Sequence, residues 1–406
     1  MFTQYLAHDP GFEDALPRLS RGGGAYAPSF YAPYVLATAL GALEAAGGWV
    51  VVSPNGDDAT RLAADLAFFL GRDVPVLPAR GVLYGTDVAP APHIIGERQE
   101  ALAALRAGGV IVAEAAALLE RFMPLELQPQ ALALAPGDEV SFDDAVARLV
   151  ALGYERVEQA RTRGEFAVRG GLIDVYPALG DPVRIDFWGD EVESLRTFSV
   201  YSQRSTDSLA RVVVYAAVEA DAQLPEYRAA LQNVISLWER EGREETPDEM
   251  YERAGVRALG MLSGQFTARL ERTSAQATRL AVCDPDEVYR SLADFDAEVR
   301  VASADARLYL GLGEVRAALA GALQLDVVQR DQKVQFAASR PQFAARDVSG
   351  AERDLMRMVR DGYRVFVVFR HAGEAERATY RLRTLQAEVV TPEQLERGGE
   401  AAEGLY

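Results

Sequence analysis

Trp188 stands among charges, with Arg184, Asp186 and Asp190 all within four residues of it. The chemistry such a set offers is recognition, because Trp and Arg are the side chains most enriched at protein-interaction hot spots. Positions 183–188 alternate with period two. On a strand this sends Val183, Ile185 and Phe187 to one face and Arg184, Asp186 and Trp188 to the other. The first face is core. The second is a candidate docking surface, unless a loop of the same chain covers the indole.

Other chemistries lack their parts. A phosphate-binding loop needs a glycine-rich backbone nest followed by Lys and then Ser or Thr. Lys333 is the only lysine, and it stands in Gln332-Lys333-Val334-Gln335 with no glycine loop before it. Gly22-Gly23-Gly24 is the nearest glycine run, and counting from Gly24 puts Ser29, Phe30 and Tyr31 where Gly, Lys and Ser/Thr belong. A glycine-rich entry to a helix is the expected role. Leu280-Ala281-Val282-Cys283-Asp284 has the form of a strand ending in a Mg²⁺-holding acid, but a motif counts only in its complete context. Helix capping by Asp284 and Asp286 is expected instead. Cys283, His8, His93 and His371 are too few and too scattered for a metal cluster, so no catalytic residue, metal or cofactor is expected.

The elements that must position Trp188 are legible around it. Short segments rich in β-branched and aromatic residues run from 165 to 196, bounded by Gly170-Gly171, by 177–182 and by Gly189-Asp190, and predict a small twisted sheet. A strand is expected at 131–134. Ser141 and Asp144 are spaced as a capping pair for a helix that carries Phe142, Val146, Leu149 and Val150. Before this region, helices at 33–46, 57–70 (capped by Asp57 or Asp58), 95–106 and 114–122 alternate with apolar strands at 49–53, 74–77 and 109–113, an α/β pattern. A strand at 212–215, a helix at 226–240 and the strand at 280–284 follow. A last βα unit is expected, with a helix from 348 to 360, an apolar strand at 363–369, a helix at 374–386 and a strand at 387–390.

Arg163-Gly164-Glu165-Phe166-Ala167-Val168-Arg169-Gly170-Gly171, then Asp174-Val175-Tyr176-Pro177, then positions 183–196, then Ser202-Gln203-Arg204-Ser205, resemble domain 2 of the bacterial transcription-repair coupling factor family (Mfd). The same domain occurs in the excision-repair helicase UvrB. The likeness is strongest over 130–218 and collinear over most of the rest. It implies four units: domain 1a at 1–129, domain 2 at 130–218, domain 1b at 219–332 and part of domain 3 at 333–406. The implied fold is α/β, a degenerate RecA/helicase-like nucleotide-binding-type domain with an inserted α+β UvrA-binding domain, followed by a second small α/β domain. The tyrosine-rich, DNA-clamping hairpin of UvrB is represented only by Tyr84 and its neighbours, whereas base stacking needs several aromatics.

The resemblance implies a non-catalytic recruitment module that binds UvrA and brings nucleotide excision repair to RNA polymerase stalled at DNA damage. The UvrA-contacting positions of the family, two arginines and an aromatic, fall on Arg169, Arg184 and Trp188, with Trp in place of the more usual Phe. Family members are longer and act on RNA polymerase and double-stranded DNA through further regions, so the chain is expected to be an amino-terminal piece. Two other roles stand beside recruitment. One is an autoinhibitory or structural module packed on the translocase and covered by the carboxy-terminal domain; the other is a UvrB-type ATP-dependent helicase, which the missing lysine disfavours.

Composition agrees with a docking role. The 406 residues suggest two to four domains, and 49% hydrophobic content with mixed charge is that of a globular protein. A net charge of −18 opposes a grip on bare DNA, which rests on neutralising phosphates. No secretory n-region or membrane-length apolar run is present in the sequence, so a cytoplasmic location is expected.

Overall fold

The structure, a computed structural model, describes residues 3–43, 48–83, 90–123, 128–219, 278–302, 308–330, 334–338 and most of 348–382, with isolated positions elsewhere. Helices α1 (Thr3–Ala7) and α2 (Pro10–Leu19) lead to β1 (Gly24–Tyr26), α3 (Ala32–Ala42), β2 (Trp49–Ser53), α4 (Gly56–Leu70), β3 (Val76–Leu77), α5 (Pro92–Arg106) and β4 (Val110–Glu114). Next come β5 (Leu132–Leu134), α6 (Phe142–Ala151), β6 (Glu155–Arg156), β7 (Glu165–Arg169), β8 (Leu172–Tyr176), β9 (Val183–Trp188), β10 (Glu191–Phe198), β11 (Ser205–Ser208) and β12 (Val212–Val214). The chain continues with β13 (Arg279–Cys283), α7 (Pro285–Val301), α8 (Leu312–Leu319), β14 (Leu323–Asp326), β15 (Val334–Gln335), α9 (Val348–Arg360) and α10 (Ala372–Arg381).

Seven strands form an all-parallel sheet in the order β15-β1-β14-β13-β2-β4-β3. Parallel sheets are covered on both faces, and their strands are correspondingly apolar. Along β2 and β4, Trp49, Val51, Val110 and Val112 pack with α1 to α4, while Val50, Val52, Ile111 and Ala113 pack with α5, α7 and α8. Strands β13 to β15 come from sequence beyond position 278 yet lie beside β1 and β2, so segments on either side of the second sheet complete the first.

The second sheet is mixed, in the order β11-β10-β9-β8-β7-β6; only the β6–β7 pair is parallel, and β5 and β12 form a separate antiparallel pair. Its inner face buries Phe166, Ile173, Val175, Val183, Ile185, Phe187, Val192 and Leu195 against Ala145 and Leu149 of α6. Ser141 caps α6 through Asp144 N–H as predicted, whereas Val150 turns out to solvent, 50% exposed. Gly170 takes φ +61° in the β7–β8 turn, and a side chain on Gly171 would meet the Phe187 carbonyl at 2.9 Å. Both conditions select glycine.

Several sequence expectations need correction. Helix 33–46 runs over Ala32–Ala42 among the described residues. Asn55, not Asp57 or Asp58, caps α4, because a cap must be extended and the helix already begins at Gly56. The helix expected at 114–122 is a 3₁₀ turn over Ala115–Leu119, after which Glu120 bridges to Tyr309. At 363–369 the described residues show a single bridge position, Val365, packed on Leu355 of α9, instead of a strand. Positions 84–89, 241–249 and Lys333 lie outside the described residues, as do most of 226–240 and 387–390.

A buried charge cluster joins the two sheets' surroundings. Arg98 of α5 reaches Glu120 at 2.6 Å and Glu219 at 3.5 Å, and Arg80 reaches Glu219 at 2.6 Å. Glu120 also accepts the Arg80 backbone N–H at 3.0 Å. Beside the cluster, Gly96 of α5 lies so close to Ala178 and Leu179 that an added Cβ would sit 3.0 Å from Ala178. Burial is the largest influence on the Glu120 carboxyl and pushes its pKa up, against the pull of Arg98 and Arg80.

Candidate protein-docking site

Strand β9 shows the alternation that its sequence predicts. Val183, Ile185 and Phe187 are buried, Arg184 and Asp186 are half-buried on the outer face, and Trp188 is 78% exposed. The alternative that a loop covers the indole is not what the structure shows. A large apolar ring held out in water is the unusual observation.

Cross-strand register puts the three candidate residues on one face. Arg169 pairs with Leu172, and Leu172 pairs with Asp186, the residue between Arg184 and Trp188 on the same side of β9. Two inter-strand steps separate Arg169 from Asp186, roughly 10 Å. Arg169 is exposed at the end of β7, with Nη2 donating to the Glu158 carbonyl at 3.3 Å. Asp186 accepts from Ser194 at 2.6 Å and meets the Arg196 guanidinium at 3.2 Å, so the middle of the face is a polar network.

Arg184 departs from expectation. Its Nε and Nη2 donate to the two Asp174 oxygens at 2.7 and 2.8 Å. Its Nη1 donates to the Gln203 carbonyl at 3.3 Å and the Ser205 hydroxyl at 3.2 Å. The guanidinium lies over the Phe198 ring at 5.4 Å, and its side chain is only 15% exposed. Four of its five N–H groups are thus engaged within the domain. The hydrogen bonds it donates to Asp174 hold its pKa above the ordinary arginine range, against partial burial. Arg184 is on the predicted face but is tied into the domain and is not a free solvent-facing cation.

Asp174, Gln203 and Ser205 were named in the sequence only as parts of the motif, with no role assigned, and Tyr201 was not named. Asp174 faces Arg184 across the β8–β9 pairing, a relation that only register reveals. Gln203 has φ +57°, one of two non-glycine residues among the described ones with positive φ, and Tyr201 beside it is 96% exposed. Glu165, at the start of β7, accepts the backbone N–H groups of Arg161 and Thr162 at 2.7 and 2.9 Å. Burial opposes ionisation there, but those N–H groups outweigh it and hold the carboxyl below its usual pKa.

At the parallel sheet, the glycine run lies on the wrong side of β1. Gly22 and Gly23 precede the strand, while a phosphate loop follows one, at the carboxyl end of the sheet. Ser29, Phe30 and Tyr31 do occupy that strand-to-helix turn, with Tyr31 at the N-cap of α3. The same edge carries Asp284 at the end of β13 and Asp326 at the end of β14. Burial foremost, then the neighbouring Glu287, Asp326 and Asp58 carboxylates, push the Asp284 pKa up against one favourable backbone N–H. Asp284 does stand at the N-cap of α7, at φ +59°, where its carboxyl draws on the Glu287 backbone N–H without a well-formed capping bond, and Asp286 lies inside the first turn. The described residues contain no group of three metal-ligating side chains and no helix long and apolar enough to cross a membrane.

Residues 132–219 match the family described as the UvrB interaction domain. A transcription-repair-coupling factor of Mycobacterium bovis is 33% identical over 274 residues, 62% of this chain and 22% of that protein. One of Haemophilus influenzae is 36% identical over 40% of this chain and 15% of its own length, and one of Myxococcus xanthus 39% identical over 44% and 16%. The matches therefore span 15–22% of the length of these relatives. Residues 132–219 are similar to the UvrB interaction domain, and the chain that carries them resembles the transcription-repair-coupling factors.

Proposed function

We propose that this chain is a non-catalytic recruitment module that binds UvrA through the outer face of its second sheet, bringing excision repair to RNA polymerase stalled at damage. The observation that carries this reading is Trp188, 78% exposed on the face that also holds Arg169 and Arg184, within the UvrB interaction domain. An aromatic anchor ringed by polar groups is the usual make-up of an interface hot spot. The test is biolayer interferometry of purified UvrA on this chain. Saturable binding is expected, and Trp188→Ala should weaken it about thirtyfold, the equivalent of ~2 kcal/mol. Equal binding by both chains would overturn the reading.

In the same proposal the parallel-sheet unit is a RecA/helicase-like domain without nucleotide chemistry, carrying the UvrB interaction domain as an insertion. Its support is the edge where a nucleotide would sit. There Phe30 and Tyr31 stand in the turn after β1, and Asp284 and Asp326 bring negative charge where phosphates need positive.

A further inference from the structure

We infer that the docking face extends from β9 onto the turn at 199–205, with Tyr201 as a second aromatic anchor and Arg184 as the positioning residue that holds this turn in place. The inference rests on the proposed UvrA-binding reading and names further residues of the same surface.

The turn is exposed yet tightly built. Ser199 N–H donates to the Arg204 carbonyl at 3.0 Å, and Gln203 N–H donates to the Ser199 carbonyl at 2.7 Å. The Gln203 side-chain amide donates to the Val200 carbonyl at 2.8 Å. Gln203 adopts φ +57°, a conformation that costs free energy in a non-glycine residue and persists only where the surroundings impose it. Arg184 supplies that constraint, since Nη1 meets the Gln203 carbonyl and the Ser205 hydroxyl while Asp174 fixes the other side of the guanidinium. The result is a rigid turn with Tyr201 at 96% exposure, a residue type enriched at interfaces because its ring loses little entropy on binding.

The two aromatics fit one partner. Trp188 pairs with Glu191 at one end of β9, and Val183 pairs with Thr197 at the other, next to the turn. Six residues of strand put them roughly 20 Å apart, and a standard interface patch of about 800 Å² per partner is roughly 30 Å across. Arg184 lies between them, with most of its hydrogen-bonding capacity directed inward. It therefore acts on the partner through the turn. Continuity of this surface with the Trp188 face commits the occupant to the same protein, UvrA.

A double-mutant cycle on UvrA binding tests this, read by interferometry with the full chain. Tyr201→Ala is expected to weaken binding at least tenfold with an unchanged melting temperature. Arg184→Lys keeps the charge but loses the fork, and is expected to weaken binding by a similar factor and to speed tryptic cleavage after Arg204. In the double variant the losses should be strongly non-additive, because Arg184 works through Tyr201. Additive losses would mean that Arg184 meets UvrA directly, overturning its positioning role. Full binding by Tyr201→Ala while Trp188→Ala is impaired would remove the turn from the interface and leave the docking reading standing. Absence of binding by the unsubstituted chain would defeat that reading itself. If Arg184→Lys fails to fold, Ser205→Ala removes one bond to the turn and should show a smaller, equally non-additive loss; an additive one overturns the role.

Discussion

At the scale of single residues, the two sides of Trp188 and Arg184 diverge. Trp188→Ala removes a ring that is mostly in water, so the melting temperature should move little while UvrA binding falls about thirtyfold. Arg184→Ala is different. It strands Asp174, 3% exposed, without its bidentate partner, and unpairing a buried ion pair costs about 3–5 kcal/mol. Chemical denaturation of the variant should show a loss of that order, and a change below ~0.5 kcal/mol would contradict the pairing. The faces of both residues were legible in the alternation of 183–188, which any strand must obey. The burial of Arg184 was not, because Asp174 reaches it through strand pairing and Gln203 through a left-handed turn, neither of which a local pattern encodes.

At the scale of elements, β9 separates the proposed docking face from the core by its two faces. Phe187 packs edge-on against Phe142 at 5.3 Å within the inner core, so Phe187→Ala should cost about 3–5 kcal/mol by cavity formation. Its midpoint in urea should fall, with UvrA affinity of the remaining folded chain intact; an unchanged midpoint would mean the faces are inverted. Glu165 gives the same sheet a pH dependence. Its folded-state pKa lies below the ordinary carboxylate value, so its contribution is present above that value and lost as pH falls through the lowered one. Glu165→Gln should therefore flatten the acid limb of a stability–pH curve, and an unaltered limb would refute the assignment. Strands rich in apolar or β-branched residues were readable from sequence, since burial on both faces or on alternate positions dictates composition. The short elements were less so: 115–119 is apolar enough for a helix, but a stretch buried at all but Ala116 fits a 3₁₀ turn equally well, and periodicity does not separate them.

At the scale of the molecule, two features bear on how the domain proposed to dock UvrA is carried. The first is the acidic carboxyl edge of the parallel sheet. Calorimetric titration with Mg-ATP is expected to give no saturable heat, and a micromolar Kd would sink the reading of a domain without nucleotide chemistry. The second is the cluster of Arg80, Arg98, Glu120 and Glu219, invisible in sequence because its members are up to 139 positions apart and none belongs to a motif. Relative motion is the default for domains in one chain unless their interface is well packed. Here Glu219, at the end of the segment that matches the UvrB interaction domain, balances two buried arginines, Arg80 and Arg98 of α5, and Gly96 admits the 178–179 backbone at contact distance. Neutralising that carboxylate leaves the cationic charge short of a counter-ion in a buried site, at a cost of about 3 kcal/mol or more. Glu219→Gln should accordingly lower thermal stability and, because the lost contact joins two cores, split one calorimetric transition into two, the sheet at 155–208 melting apart from the parallel sheet. A single transition at the original temperature would show that the docking domain is held by its apolar contacts alone, with the buried charges contributing nothing to its orientation.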